Sequence, residues 1–247
     1  MSKVVTGLKS NPVTTHEIIN TNMKKDVRID AAKNGITEVV FILDRSGSMG
    51  GLEADTVGGF NAMLEKQKRE GGNIIWSTVI FDDVSEVIHD RVPVADVDPL
   101  TEDDYYVRGM TALLDAVGGS INHIGNVHKY ARAEERPDKT MFVITTDGME
   151  NASVIYSTRE VKRIIKRQQE KYGWEFIFLG ANIDAVEAAG RIGIRADRAA
   201  RFHNDDMGIA LNYDVVSAEL SAFSAGCVVG DSLERVRKDY KSRKKRR

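Results

Sequence analysis

Apolar positions in this chain fall into short unbroken runs, separated by stretches in which they recur with a helical period. The runs are Glu38 to Asp44 (EVVFILD), Asn73 to Phe81 (NIIWSTVIF), Lys139 to Thr146 (KTMFVITT) and Trp174 to Leu179 (WEFIFL). Each has the length of a strand, and continuous apolarity marks strands covered on both faces, as in a parallel sheet. Between them, Leu52 to Glu70 places Val57, Phe60 and Leu64 on one helical face and stops at Gly71-Gly72. From Ala112 onward, Leu114, Val117, Ile121 and Ile124 share a face. Ser157-Thr158-Arg159-Glu160 has the form of a capping box and opens a helix with Val161, Ile164 and Ile165 inward. Asp184 to Ile192 predicts a short helix, and a last short strand is expected near Arg198 to Phe202. The final amphipathic helix carries Ile209, Val216, Leu220 and Phe223. One run differs. Val84 to His89 alternates after the turn Asp82-Asp83, which predicts an antiparallel edge strand followed by a long acidic loop over residues 90–108.

Strands alternating with helices predict an α/β fold: a doubly wound, mostly parallel sheet with one antiparallel edge strand and helices on both faces. Residues 1–36 are polar, lack a period and read as an N-terminal extension. Residues 37–225 read as the domain and 226–247 as a basic C-terminal tail.

Composition narrows the class. The 247 residues suit one large α/β domain with short extensions, and 42% hydrophobic content is ordinary for a globular protein. Net charge is −2, yet residues 233–247 (LERVRKDYKSRKKRR) hold nine Lys/Arg against two Asp/Glu, so the rest of the chain is net acidic. That tail has three readings: a grip on nucleic-acid phosphates, a solvated tail, or a partner for the acidic body of a second copy. The single cysteine, Cys227, excludes an intramolecular disulfide and reads as a small buried apolar residue. The first residues, MSKVVTGLKSNP, lack an apolar core of signal-peptide length, and no run of membrane-spanning length occurs. The expectation is a cytoplasmic protein without a membrane partner.

Candidate chemistry concentrates at three strand–helix junctions. Asp44, Ser46 and Ser48 lie in FILDRSGSMG, Thr111 in RGMTALLDA and Asp147 in FVITTDGMEN. Two carboxylates and three hydroxyls form an all-oxygen donor set suited to a hard divalent cation, and the absence of sulfur and imidazole disfavours zinc and copper. Such sheets place ligands at the carboxyl ends of strands, at the switch point, where Asp44 and Asp147 are expected as neighbours. Asp82 and Asp83 read better as a solvated turn than as an acid/base pair. Asn151 and Asn182 are candidates for the rim of the cation site and equally for loop or cap residues. The five histidines show no zinc spacing. No phosphate-binding Gly-rich loop followed by Lys-Ser/Thr occurs, nor a Gly-x-Ser-x-Gly elbow.

DRSGS, GMT and TDG in this order resemble the metal-ion-dependent adhesion site (MIDAS) of von Willebrand factor A (vWA) domains, over roughly residues 37 to 225. Many members read Gly-Gly-Thr where this chain has Gly109-Met110-Thr111. The resemblance implies that Ser46, Ser48 and Thr111 contact the ion while Asp44 and Asp147 act largely through water. It implies Mg²⁺, with Mn²⁺ or Ca²⁺ as alternatives, and an open coordination position filled by an Asp or Glu of a partner protein. The function expected is therefore a binding module like the stand-alone vWA proteins of bacteria and phages. A nucleic-acid-associated scaffold using the tail is the alternative, and a metal-dependent phosphoester hydrolase lacks a base or nucleophile placed by sequence.

Overall fold

Eight consecutive buried residues, Thr37–Asp44, make β1, and its side chains alternate between two cores. The computed structural model describes residues 35–227 and 231–244. The extension expected over 1–36 thus lies, but for its last two residues, outside the described residues. Val39, Phe41 and Leu43 face one core, and Val40 and Ile42 face the other, the two-residue period of a strand covered on both sides. On either side of β1 lie β2 (Ile74–Phe81) and β4 (Lys139–Thr146), both parallel to it. The sheet order is β3-β2-β1-β4-β5-β6, where β3 is Ser85–Pro93, β5 Glu175–Gly180 and β6 Ala199–Arg201. Only β3 is antiparallel, paired with β2. The doubly wound sheet with one antiparallel edge is therefore present, and the order reverses between β1 and β4.

The helices are α1 (Glu53–Glu70), α2 (Leu113–Tyr130), α3 (Thr158–Tyr172), α4 (Ala185–Arg191), α5 (Asp206–Ser224) and α6 (Glu234–Lys244). α1, α5 and α6 cover the Phe41 side, and α2, α3 and α4 cover the Ile42 side. Phe41 stacks on Trp76 at 4.7 Å between centroids, with Phe60 of α1 packed edge-on against both. Ser157 and Glu160 form the expected capping box at the start of α3. The predicted inward stripe of α2 is buried throughout.

Four expectations change. β3 runs on past His89 to Pro93, through register shifts opposite Trp76 and Thr78 that let Arg91 adopt φ +54. The acidic loop expected over residues 90–108 begins only after Pro93 and carries apolar anchors, since Val94, Val97, Leu100 and Tyr105 are buried in the Phe41 core. Cys227 is exposed, because the chain has already left α5 at that point. The described part of the basic C-terminal segment, residues 231–244, packs against the body of the domain. Leu233 and Val236 are buried, Arg237 donates to the Ala199 carbonyl, and Arg243 pairs with Asp205 at 2.8 Å. Tyr240 stacks on His203 at 4.5 Å, and the Arg201 guanidinium lies over the Tyr240 ring. Among the described residues no helix is long and apolar enough to cross a membrane.

Candidate cation site

The chain meets the C-terminal end of β1 at Asp44, whose carboxylate is fixed from both sides. Oδ1 accepts from Ser46 N at 2.7 Å and Oδ2 from Thr146 Oγ1 at 2.6 Å, across the junction with β4. The buried Tyr105 hydroxyl donates to the Asp44 carbonyl. Ser46 then enters a 3-10 turn, Gly47–Met49, that brings its Oγ to 3.2 Å from Ser48 Oγ. Ser46 is buried and Ser48 exposed, so the hydroxyl pair opens toward solvent.

Thr111 arrives from the opposite direction, just before α2. Its loop is stitched to the Asp44 turn by Gly47 N donating to Gly109 O at 3.2 Å and Arg108 N donating to Arg45 O at 3.0 Å. Gly109 has φ +67, a left-handed backbone that favours glycine, and a β-carbon there would also lie 3.2 Å from the Asp82 β-carbon. Asn151 clasps Thr111 at both backbone groups, accepting from its N at 2.9 Å and donating to its O at 3.1 Å. Ala112 cannot cap α2. Its first amides are met instead by the loop after β4, with Leu114 N donating to Glu150 and Asp115 N to Ser153 Oγ.

Asp147 directly follows β4 and is buried. Oδ1 accepts from Asn182 N and Nδ2 at 3.1 and 2.5 Å, and Oδ2 accepts from Asn204 Nδ2 at 2.5 Å. Burial pushes this carboxyl above its ordinary range, the Asn182 hydrogen bonds pull it back, and the nearby Asp44 charge raises it again. Next to it, Gly148 leaves a gap. A β-carbon built there would sit 2.5 Å from Thr111 Oγ1 and 3.4 Å from Ser48 Oγ, which places those two hydroxyls around one point.

The donor set fits a hard cation on three counts. It is all oxygen, with two carboxylates and three hydroxyls. Among the described residues neither carboxylate forms an ion pair, and Arg45, nearest to Asp44 in sequence, turns away to Asp82 (2.9 Å) and Glu86 (3.0 Å). Asn204 Oδ1, buried beside Asp147, has no hydrogen-bond partner, so the surroundings lack a donor that a hydrated ion brings. Among the described residues there is no group of three or more His, Cys, Asp or Glu side chains able to hold a metal, so any ion here depends on the hydroxyls.

Two features escaped the sequence reading. Asp82 is fully buried rather than a solvated turn residue. It receives Arg45 at 2.9 Å and Arg108 at 2.6 Å, and both guanidinium groups lie over the Tyr106 ring. Burial alone would raise its pKa, but hydrogen bonds from Arg108, the Val84 amide and Arg45 hold it below the usual carboxylate range. Asn204 is the second; its only sequence signal is its place just after the last strand.

No sequence-family profile matches the chain, and no curated protein matches it. Solved structures do. The PilB minor pilin from Streptococcus sanguinis is similar at a TM-score of 0.52 and 10% identity, over 75% of this chain and 61% of that one. Proximal thread matrix protein 1 from the mussel byssus, solved with a zinc-occupied MIDAS motif, is similar at a TM-score of 0.51 and 14% identity, over 76% of this chain and 46% of that one. A von Willebrand factor type A structure from Catenulispora acidiphila is similar at a TM-score of 0.49 and 15% identity, over 76% of this chain and 42% of that one. The chain thus spans less than two thirds of the length of each of these proteins. At such identities the first two likenesses carry the doubly wound α/β fold and no more.

Proposed function

We propose that this chain is a divalent-cation-dependent binding module whose ion, held by Asp44, Ser46, Ser48, Thr111 and Asp147, takes a carboxylate from a protein partner. The observation that carries the reading is the meeting of the Thr111 and Ser48 hydroxyls around the place a Gly148 β-carbon would take, beside Asp44 at the end of β1 and Asp147 just past β4. Those two carboxylates are already oriented by protein donors, which suits ligands that act through water, while the three hydroxyls remain available to touch the ion. In the mussel byssus protein a MIDAS motif holds zinc; the oxygen donors here favour Mg²⁺, with Mn²⁺ and Ca²⁺ as alternatives. Bound there, the ion supplies Lewis-acid attraction for an anionic oxygen. Asp44 and Asp147 would hold it through water, which would leave it electron-poor and preserve that attraction. Among the described residues the Ser46 and Ser48 hydroxyls bond to each other and to no carboxylate or imidazole, which favours binding over turnover. The nucleic-acid reading has weaker support, since Arg235, Arg237, Lys238 and Arg243 of α6 pair with Asp214, Asp231, Glu234 and Asp205.

The test is calorimetric titration of Mg²⁺ and of Mn²⁺ into metal-free protein, beside Asp44→Ala and Thr111→Val. Saturable binding that both variants lose is the expected result. A flat titration of the parent rejects the reading.

A further inference from the structure

Large apolar side chains stand in solvent around the cation site. Met110, 56% exposed, directly precedes Thr111, and Met149, 75% exposed, directly follows Gly148. Val154 (90%) and Ile155 (72%) crown the irregular loop between β4 and α3. That loop is staked down. Glu150 Oε1 accepts from the amides of Ala152 and Ser153 at 3.1 and 2.8 Å, and the Asp115 carboxylate of α2 accepts from the amides of Val154, Ile155 and Tyr156 at 2.8, 3.0 and 2.7 Å. Five successive amides are thus committed to two carboxylates. The exposure of Val154 and Ile155 is built in, since the backbone cannot turn over to bury them without giving up those bonds. Exposed apolar groups on a preorganised loop are the mark of a contact surface.

The platform lies within reach of the ion. Asn151 is bonded to Thr111 through both backbone groups, and Val154 is three residues further on, at most about 11 Å of chain. From Gly148 to Ser157 the only charged side chain is Glu150, itself engaged by loop amides, so this loop offers an incoming acid no cation of its own. The acidic group must therefore go to the ion, and what lies beside it must be apolar. We propose that this loop, with Met110 and Met149, is an apolar platform for a protein segment carrying an Asp or Glu with a large aliphatic or aromatic side chain within about three residues of it. The proposal rests on the cation-dependent reading above. It adds to that reading which carboxylates are chosen.

A display library of short random peptides with one fixed Asp, panned on the full chain in Mg²⁺, tests it. The best peptide is then titrated into the parent and into a Val154→Ser, Ile155→Ser double variant, with Mg²⁺ affinity measured on both proteins. The expected result is enrichment of large apolar residues near the Asp, binding weakened about tenfold or more in the double variant, and unchanged Mg²⁺ affinity. Retention of no peptide, enrichment of polar neighbours, or equal binding to both proteins overturns the platform. Peptides that bind equally in chelator, to a parent whose Mg²⁺ titration is flat, overturn the cation reading itself. Peptides that need Mg²⁺ but ignore the double variant overturn the platform alone.

Discussion

Gly148 occupies the point around which the Thr111 and Ser48 hydroxyls meet, so one added methyl group is a local probe of the site. Gly148→Ala is expected to push the Thr111 side chain aside and lower Mg²⁺ affinity by about ten- to hundredfold, the cost usual for disturbing a metal site's supports. Circular dichroism should be unchanged. Asp147 supplies the pH dependence. Its carboxyl is raised in the metal-free protein, so it takes up a proton more readily on acidification, and a cation competes with that proton. Mg²⁺ affinity should therefore fall on acidification, starting above the ordinary carboxylate value of 3.8, and calorimetry across a pH series should show this. In the absence of metal the sign for stability is opposite. A raised acid is most stabilising when protonated, and that contribution is lost as pH rises through its folded pKa. The five oxygen residues stand out in the sequence through short local signatures, and in the structure Asp44 ends β1, Asp147 directly follows β4 and Thr111 lies in the loop just before α2. Asp82 does not stand out, because its partners Arg45 and Arg108 lie 37 and 26 residues away, and two adjacent aspartates after a strand look the same whether buried or wet.

At the scale of elements, sequence periodicity recovered the sheet and helices, since strand length and apolar stripes are local properties. It failed at the ends. β3 outruns its alternation because register shifts against β2 keep it paired to Pro93. In the C-terminal segment the charge is visible in sequence, but two of the acids that receive it, Asp205 before α5 and Asp214 on it, belong to another element and have no local signal. α6 has a consequence for the site. Arg243 grips Asp205, which caps α5, and Tyr240 covers His203, so Asn204 is held between two clamped neighbours while it donates to Asp147. Arg243→Glu is expected to cost about 1–2 kcal/mol in urea denaturation, the scale of a partly exposed charged hydrogen bond. Faster amide exchange over residues 205–209 should accompany it, and Mg²⁺ binding should weaken.

For the whole molecule, a ligand that binds only the folded form stabilises it by mass action. Mg²⁺ at about a hundred times its Kd should add about 2.7 kcal/mol, which for a chain of this size means a rise in Tm of roughly 5–10 °C. Scanning calorimetry of the parent should show it, and Asp44→Ala should melt at one temperature with or without Mg²⁺. The fold class was readable as a whole because the alternation of strands and helices gives the layers, while the place where the order reverses is set by β1 pairing with β4.

The hydrogen bond from Thr146 to Asp44 joins residues 102 apart in the chain. A strand order that puts β1 beside β4 therefore sets a schedule as well as a shape. During synthesis Asp44 emerges first and waits, without its partner, while α1, β2, β3 and α2 are made. Asn182 and Asn204 come later still. Closure over such separations is slow compared with forming helices and hairpins. The oxygen cluster is thus among the last parts of this protein to exist, and competence to hold an ion coincides with the end of folding.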